Sequence, residues 1–511
     1  MKLQSLISLC FFCFIFLFIF FIRPANKWNY IFVKDIKIQQ KLAVLFAIIV
    51  TILIAVLPMF LSTLSPYWNG SVKTFADKQQ YDRMGDALLQ GHLYIDNGNI
   101  DPILEGMENP YDTDARKRLG VKFHWDEAYY NHHYYMYFGV VPTIILFIPY
   151  KLLTGNVLMS YQATQIFASL TIIGLFYLFY LLCNSIFLQF PFSLYLLFSS
   201  AFSVLSVSYS IASPTLYCTA IISGVCMMIW SIVCFLKGAW LEKDKTKSNL
   251  YLFIGALSGA LAFGCRPPVA LANITVIAVI CNIVQDDLSD WKDKIEKIVL
   301  IFAPYLVVGV LLMLYNYARF DNVFEFGQSY QLTLEDQHIY RSILERFDFK
   351  QTLIVTFLNF YSIPSLSSGF PFVEHSGVFF NFPVLLFSVR IFSRDIANIL
   401  QEKKLYYFSL LALFSTLLIT VITIYWSPFL LERYHLDFYY LLCIVSFLAV
   451  ATWLELIIGK KRKILISCLV VLLFAVYVIA FLFFCLPFDG SYTMSYPDTL
   501  HEIYKGLRFG M

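Results

Sequence analysis

Charge is scarce in this chain. Only 14% of its 511 residues are Asp, Glu, Lys or Arg, against about 25% in soluble domains, which excludes an ordinary water-soluble fold. The formal net charge of +3 is too small to suggest nucleic acid as a partner. Charge is scarcest inside the long apolar runs, whose interiors hold almost no acidic or basic residue. Transporters usually carry charged side chains at mid-membrane broken helices, so this pattern argues against ion- or proton-coupled transport. Cysteine is missing from the large polar segment. All eleven Cys lie inside or at the edge of apolar runs, and only Cys10 and Cys13 have CxxC spacing, within the first run. That leaves neither a Cys metal box nor a disulfide framework, and the thiols read as small buried hydrophobes. The HExxH pattern is absent too, as are low-complexity tracts and a convincing internal repeat.

What is abundant is hydrophobicity, at 59% of residues. Apolar runs of about 18–24 residues are long enough to cross ~30 Å of hydrocarbon. Backbone polar groups must be paired inside lipid, so these runs are predicted as helices. The expected fold class is an all-α polytopic membrane protein. About twelve spans (11–13) are predicted, at 5–22, 42–62, 160–183, 191–209, 216–236, 249–264, 267–284, 298–316, 376–392, 405–426, 437–457 and 464–487. The first run is longer than a signal-peptide core and no A-x-A-like site follows, so it is expected to be retained. Basic clusters mark cytoplasmic loops: Arg23–Lys41, Lys237–Lys247, Lys292–Lys297, Arg394–Lys404 and Lys460–Lys463. With the segment after the second span facing outward, Lys237–Lys247 is inside only if 137–153, a short run with two prolines, does not cross. That run is therefore expected to be re-entrant or interfacial.

This organisation divides the chain into two N-terminal spans (1–62), an extracytoplasmic catalytic loop (63–159), a transmembrane core (160–316) and a second outward loop (317–375). C-terminal spans (376–487) and an outward tail (488–511) complete it. The first loop opens a polar interruption of some seventy residues rich in Asp, Tyr, Asn and His, and loops beyond about 15 residues are usually functional or disordered. Its acids include Asp77, Asp82 and Asp86, the last two one turn apart if the stretch is helical, and Asp126 in Trp125-Asp126-Glu127. Carboxylates near a membrane surface suit base catalysis. Arg266, at an outward turn between spans, and Arg433, at the outer start of another, are placed to hold an anion. His124, Asp126, Glu127, His132 and His133 match no metal signature, so no metal is expected. The FEFGQSYQL stretch of the second loop is expected to lie over the first.

The opening motif Asp77-Lys78-Gln79-Gln80-Tyr81 follows a span. The Tyr/His-rich segment His132-His133-Tyr134-Tyr135-Met136-Tyr137-Phe138-Gly139-Val140-Val141-Pro142 runs into an apolar helix. This pattern resembles the GT-C glycosyltransferases, polytopic enzymes that include protein O-mannosyltransferases and the lipid A aminoarabinose transferase. The stretches NPYD, WD-x-A-Y-Y and Arg319-Phe320-Asp321-Asn322-Val323-Phe324-Glu325-Phe326-Gly327 resemble uncharacterised bacterial relatives. Lys78 stands where the family often has Glu. The resemblance implies a GT-C-like fold and a hexosyltransferase-type enzyme of the bacterial inner or plasma membrane. Its donor would be a polyprenyl-phosphate-linked sugar and its acceptor a cell-envelope glycan or lipid. It implies Asp77 as base, with Asp126 the second candidate, and Arg266, Arg433, Tyr434, Tyr81, Asp82 and His133 as substrate contacts. A phosphate-linked donor has a good leaving group, so one base and one phosphate clamp suffice for an inverting transfer. No cofactor is expected, a divalent cation being compatible but not favoured. The alternatives are an O-antigen polymerase or ligase, whose largest loop lies later in the chain, and a transporter or lipid flippase.

Overall fold

The structure is a computed structural model that describes residues 27–60, 79–95, 100–212, 216–286, 290–333, 348–362, 377–426 and 432–485. Among these, eight helices are long and apolar enough to cross a membrane. They are Ser160–Ser185, Phe192–Ile211, Leu216–Leu241, Pro267–Val284, Trp291–Phe320, Tyr406–Tyr425, Arg433–Leu456 and Gly459–Ile479. The all-α polytopic reading therefore stands, whereas twelve full spans do not emerge. The expected span 5–22 lies outside the described residues. The 42–62 run forms the helix Ile38–Phe60, and 249–264 lies in the 19-residue helix Lys245–Phe263. The 376–392 run is corrected: it splits into Val378–Asn381 and a ten-residue 3₁₀ helix, Pro383–Phe392. The cause is Pro383, which drives Phe382 out of the helical region to φ −130°, ψ 75°.

The 137–153 run holds a five-residue π-helical turn, Thr143–Phe147, continuing into the helix Ile148–Thr154. Twelve residues rise about 18 Å, short of the ~30 Å of a bilayer core. Lys151 on this helix is clamped by Asp82 at 3.3 Å and by Asp86, both on the helix Gln80–Leu89. The one-turn spacing of these two acids thus serves a tertiary ion pair.

Inside the first loop the described residues include one departure from helix, a hairpin of β1 (Ala128–Tyr130) and β2 (His133–Tyr135). Its two-residue turn puts Asn131 at φ 47° and His132 at φ 62°, the left-handed pair that a tight hairpin needs. The second loop adds to this hairpin through an isolated bridge between Ala128 and Gln331. The Arg319–Gly327 motif is what brings it there. Arg319 ends the helix Trp291–Phe320 and donates to the Met136 carbonyl at 2.7 Å. Asp321 and Gly327 turn the chain at positive φ, and the Glu325 carboxylate accepts from the Gly327 N–H at 2.7 Å and the Ser329 hydroxyl at 2.8 Å.

The segment leaving the hairpin docks backbone to backbone on the turn that carries Arg266. The Val141 N–H donates to the Gly264 carbonyl at 2.8 Å, and a Cβ at Gly139 would lie 2.1 Å from that oxygen and 2.6 Å from the Cys265 carbonyl. Only glycine permits this approach. Gly139→Ala is expected to push the two backbones apart and destabilise the protein by about 1–3 kcal/mol. A thermal midpoint of the purified protein unchanged from wild type contradicts the docking.

Candidate active site

Asp126 sits in the turn before β1 at φ 65°. Asp is among the few residues that tolerate this region. Three backbone contacts hold it there. Its N–H donates to the Leu332 carbonyl at 3.0 Å, the Leu332 N–H donates to the Glu127 carbonyl at 2.9 Å, and the Gln80 amide donates to the Asp126 carbonyl at 3.2 Å. The next residue, Glu127, is locked by Arg83 at 2.6 Å and by the His124 ring at 3.1 Å.

The Asp126 side chain is only 5% exposed and accepts from three directions. Gln331 and Tyr137 donate to Oδ1, and Tyr217 donates to Oδ2. Burial pushes its carboxyl up to about 6, against Gln331 donation, the Arg433 charge and Tyr137 donation. An acid tuned toward neutrality in a buried site suits a general base.

Arg433 stands on the other side of Tyr217. Its guanidinium lies over the Tyr217 ring at 4.4 Å and over the Tyr434 ring at 5.3 Å. Among the described residues its buried Nε has no hydrogen-bond partner and no carboxylate forms an ion pair with it. Arg266 is different. Its Nε and Nη2 grip both oxygens of the fully buried Asp437, at 2.7 and 3.0 Å. Asp437, although only four residues from Arg433, pairs with Arg266. The Arg266 charge is therefore largely neutralised, and it stacks on the second side of the site against Tyr434 at 5.5 Å.

The structure thus brings Asp126, Arg433, Tyr434 and Arg266 to one end of the helix bundle, where Leu216–Leu236 and Leu436–Leu456 both begin. Helix N-termini add positive potential there. Tyr81 joins the Arg266 side. It is fully buried, stacks on Phe147 at 5.2 Å, and its hydroxyl is pushed up by burial and Cys265 and pulled down by the Arg266 charge. Asp77 lies outside the described residues. Asp82 is engaged by Lys151, burial nonetheless raising its carboxyl. His133 stacks on Tyr94 at 4.1 Å, in file with His92. Of the five residues weighed as a metal cluster, His124 pairs with Glu127, Asp126 is engaged by Tyr217, Tyr137 and Gln331, His132 lies in the hairpin turn and His133 stacks on Tyr94. Among the described residues no three His, Cys, Asp or Glu side chains group as ligands.

Sequence reasoning missed Tyr217, Tyr137, Gln331 and Asp437 as members of this site. Tyr217 and Tyr137 read as ordinary interfacial aromatics, and Gln331 is 205 residues from its partner.

No family model matches the sequence, and no curated protein matches it. Among solved structures, the chain is similar to the Archaeoglobus fulgidus oligosaccharyltransferase in the apo form, at 12% identity and a TM-score of 0.47, over 86% of this chain and 55% of that one. It is likewise similar to that enzyme tethered with an acceptor peptide containing the NVT sequon, at 11% identity and a TM-score of 0.47, over 87% and 55%. The chain spans about half the length of that enzyme. At this level of likeness, function has to be argued from the residues of the site itself.

Proposed function

We propose that this chain is an integral membrane glycosyltransferase of GT-C type. It moves a sugar from a polyprenyl-phosphate donor to a hydroxyl of a cell-envelope glycan or lipid at the outer membrane face. The observation that carries the reading is the pairing, across one tyrosine ring, of a buried carboxylate with an arginine that makes no carboxylate ion pair among the described residues. Such a pair matches the two charge demands of the reaction. The acceptor O–H gives its proton to the Asp126 carboxylate. Its oxygen forms the new bond to the anomeric carbon, and the bond from that carbon to the phosphate oxygen breaks. The electron pair leaves on the phosphate, whose growing charge Arg433 meets. A single displacement inverts the anomeric centre. Arg266 and Asp437 hold Tyr434 and the adjoining turn in place, and the short helix 143–154 lies over the lipid-facing side as an interfacial cover.

A panel of polyprenyl-phosphate sugars, presented to membranes containing the protein, tests the class. Wild type is expected to consume one donor and release polyprenyl phosphate. Asp77→Asn, run beside Asp126→Asn, decides which carboxylate is the base. The pH profile supplies a second check. A base works only when deprotonated, and Asp126 loses its proton at about 6. Transfer is therefore expected to rise tenfold per pH unit below about 6 and to level off above it. A profile flat from pH 5 to 7 rules out this carboxyl as the group that titrates.

A further inference from the structure

We infer that Tyr217 is a positioning residue that couples the two working charges, orienting the Asp126 carboxylate with its hydroxyl and the Arg433 guanidinium with its ring. The inference rests on the functional reading above and deepens it. Tyr217 lies in the first turn of the helix Leu216–Leu236, so its Cα is fixed by a rigid element. Its ring is set by an edge-on contact with Phe138 at 5.4 Å and 79°. One face then lies beneath the Arg433 guanidinium at 4.4 Å, where the negative quadrupole of the ring attracts the cation. The hydroxyl donates to Asp126 Oδ2.

Each contact has a separate consequence. Asp126 and Arg433 belong to elements more than three hundred residues apart, and Tyr217 touches both. A ring beneath the guanidinium holds its plane while leaving the N–H edge available to a phosphate. The Nε of Arg433, buried and without a hydrogen-bond partner among the described residues, is one such donor. On the carboxylate the division of labour is equally clear. Oδ1 takes Gln331 from the second loop and Tyr137 from the segment after the hairpin, and Tyr217 alone among the described contacts serves Oδ2. The other charges bearing on Asp126 are Arg433 and Glu127, the latter already tied to Arg83 and His124. A donor on Oδ2 favours the ionised carboxyl, which is the form a base needs.

The two roles separate by substitution. Tyr217→Phe keeps the ring and deletes the hydroxyl, and Tyr217→Leu deletes both. The protein is purified into lipid nanodiscs. The Asp126 carboxyl is titrated by difference infrared spectroscopy, its band identified by loss in Asp126→Asn, and binding of polyprenyl phosphate is measured directly. Tyr217→Phe is expected to raise the Asp126 midpoint by about one pH unit and to leave polyprenyl-phosphate affinity within about twofold. Tyr217→Leu is expected to give the same shift together with an affinity loss of about 5–30-fold. A merely structural tyrosine would not split the two readouts. An unmoved midpoint in Tyr217→Phe, or equal affinity losses in both variants, overturns the inference. If wild type fails to bind polyprenyl phosphate, the donor assignment falls, and the titration still decides whether Tyr217 acts on Asp126.

Discussion

Asp126→Asn is expected to lower sugar transfer by about 10²–10⁴-fold, the usual contribution of general acid–base catalysis, while the protein remains folded. The second half of that expectation follows from linkage. The folded-state carboxyl sits at about 6, above its ordinary value of 3.8, so the folded protein binds the proton more tightly than the unfolded chain does. Stability contributed through this group is therefore present at low pH and lost as pH rises from about 4 to about 6. At neutral pH the buried charge works against folding, and a neutral amide of the same shape removes that cost. Loss of activity with a thermal midpoint equal to or above wild type is the signature of a site that stores strain for function. A variant that loses activity only because it unfolds contradicts it.

The second large effect concerns the two arginines, which the structure makes unequal. Arg433→Met is expected to cut kcat by about 10²–10³-fold, the scale of one lost donor at a developing charge. The effect on kcat exceeds that on donor KM, because the phosphate gains charge as its bond to the sugar breaks. Arg433→Lys is not expected to restore the rate, since a compact ammonium lacks the planar, multi-donor guanidinium that sits over the Tyr217 and Tyr434 rings. Arg266→Met should behave differently. It leaves Asp437 fully buried without its cation, and breaking such a pair costs about 3–5 kcal/mol. The expected result is poorly folded protein rather than a clean kinetic defect. Kinetics measured alongside the melting curve of each variant separate the two. Equal stability losses in Arg266→Met and Arg433→Met would erase the distinction.

The polytopic fold was legible because lipid leaves the backbone so few options, and the apolar runs announce it. The count was less so. Hydropathy alone does not register that Pro383 breaks the 376–392 run into short pieces. Asp126, Arg433 and Arg266 were legible because charged residues at the edges of apolar spans are costly and therefore informative. Their partners were not. Asp437 is four residues from Arg433 in sequence yet binds Arg266, 171 residues away, because two spans pack side by side at their starts. Gln331 reaches Asp126 through long-range contacts, Arg319 on the Met136 carbonyl and Leu332 on the backbone of Asp126 and Glu127, that fasten the second loop to the hairpin. The hairpin itself was hidden in a segment whose aromatics suit a membrane interface. Its one local signal was Asn131, a residue that accepts the left-handed turn. For Asp82 the shared face was legible and its partner was not. Its spacing with Asp86 pointed to a shared face, and that face holds Lys151.

The proposed reaction is a one-step displacement at a phosphate-linked sugar, with the buried Asp126 as base and Arg433 as clamp. The most direct test supplies purified protein in liposomes with a polyprenyl-phosphate sugar of known anomeric configuration and follows both products. The expected result is one polyprenyl phosphate released per sugar transferred, with the anomeric centre inverted by nuclear magnetic resonance. Retention of configuration, or sugar transfer without release of the lipid phosphate, would contradict it.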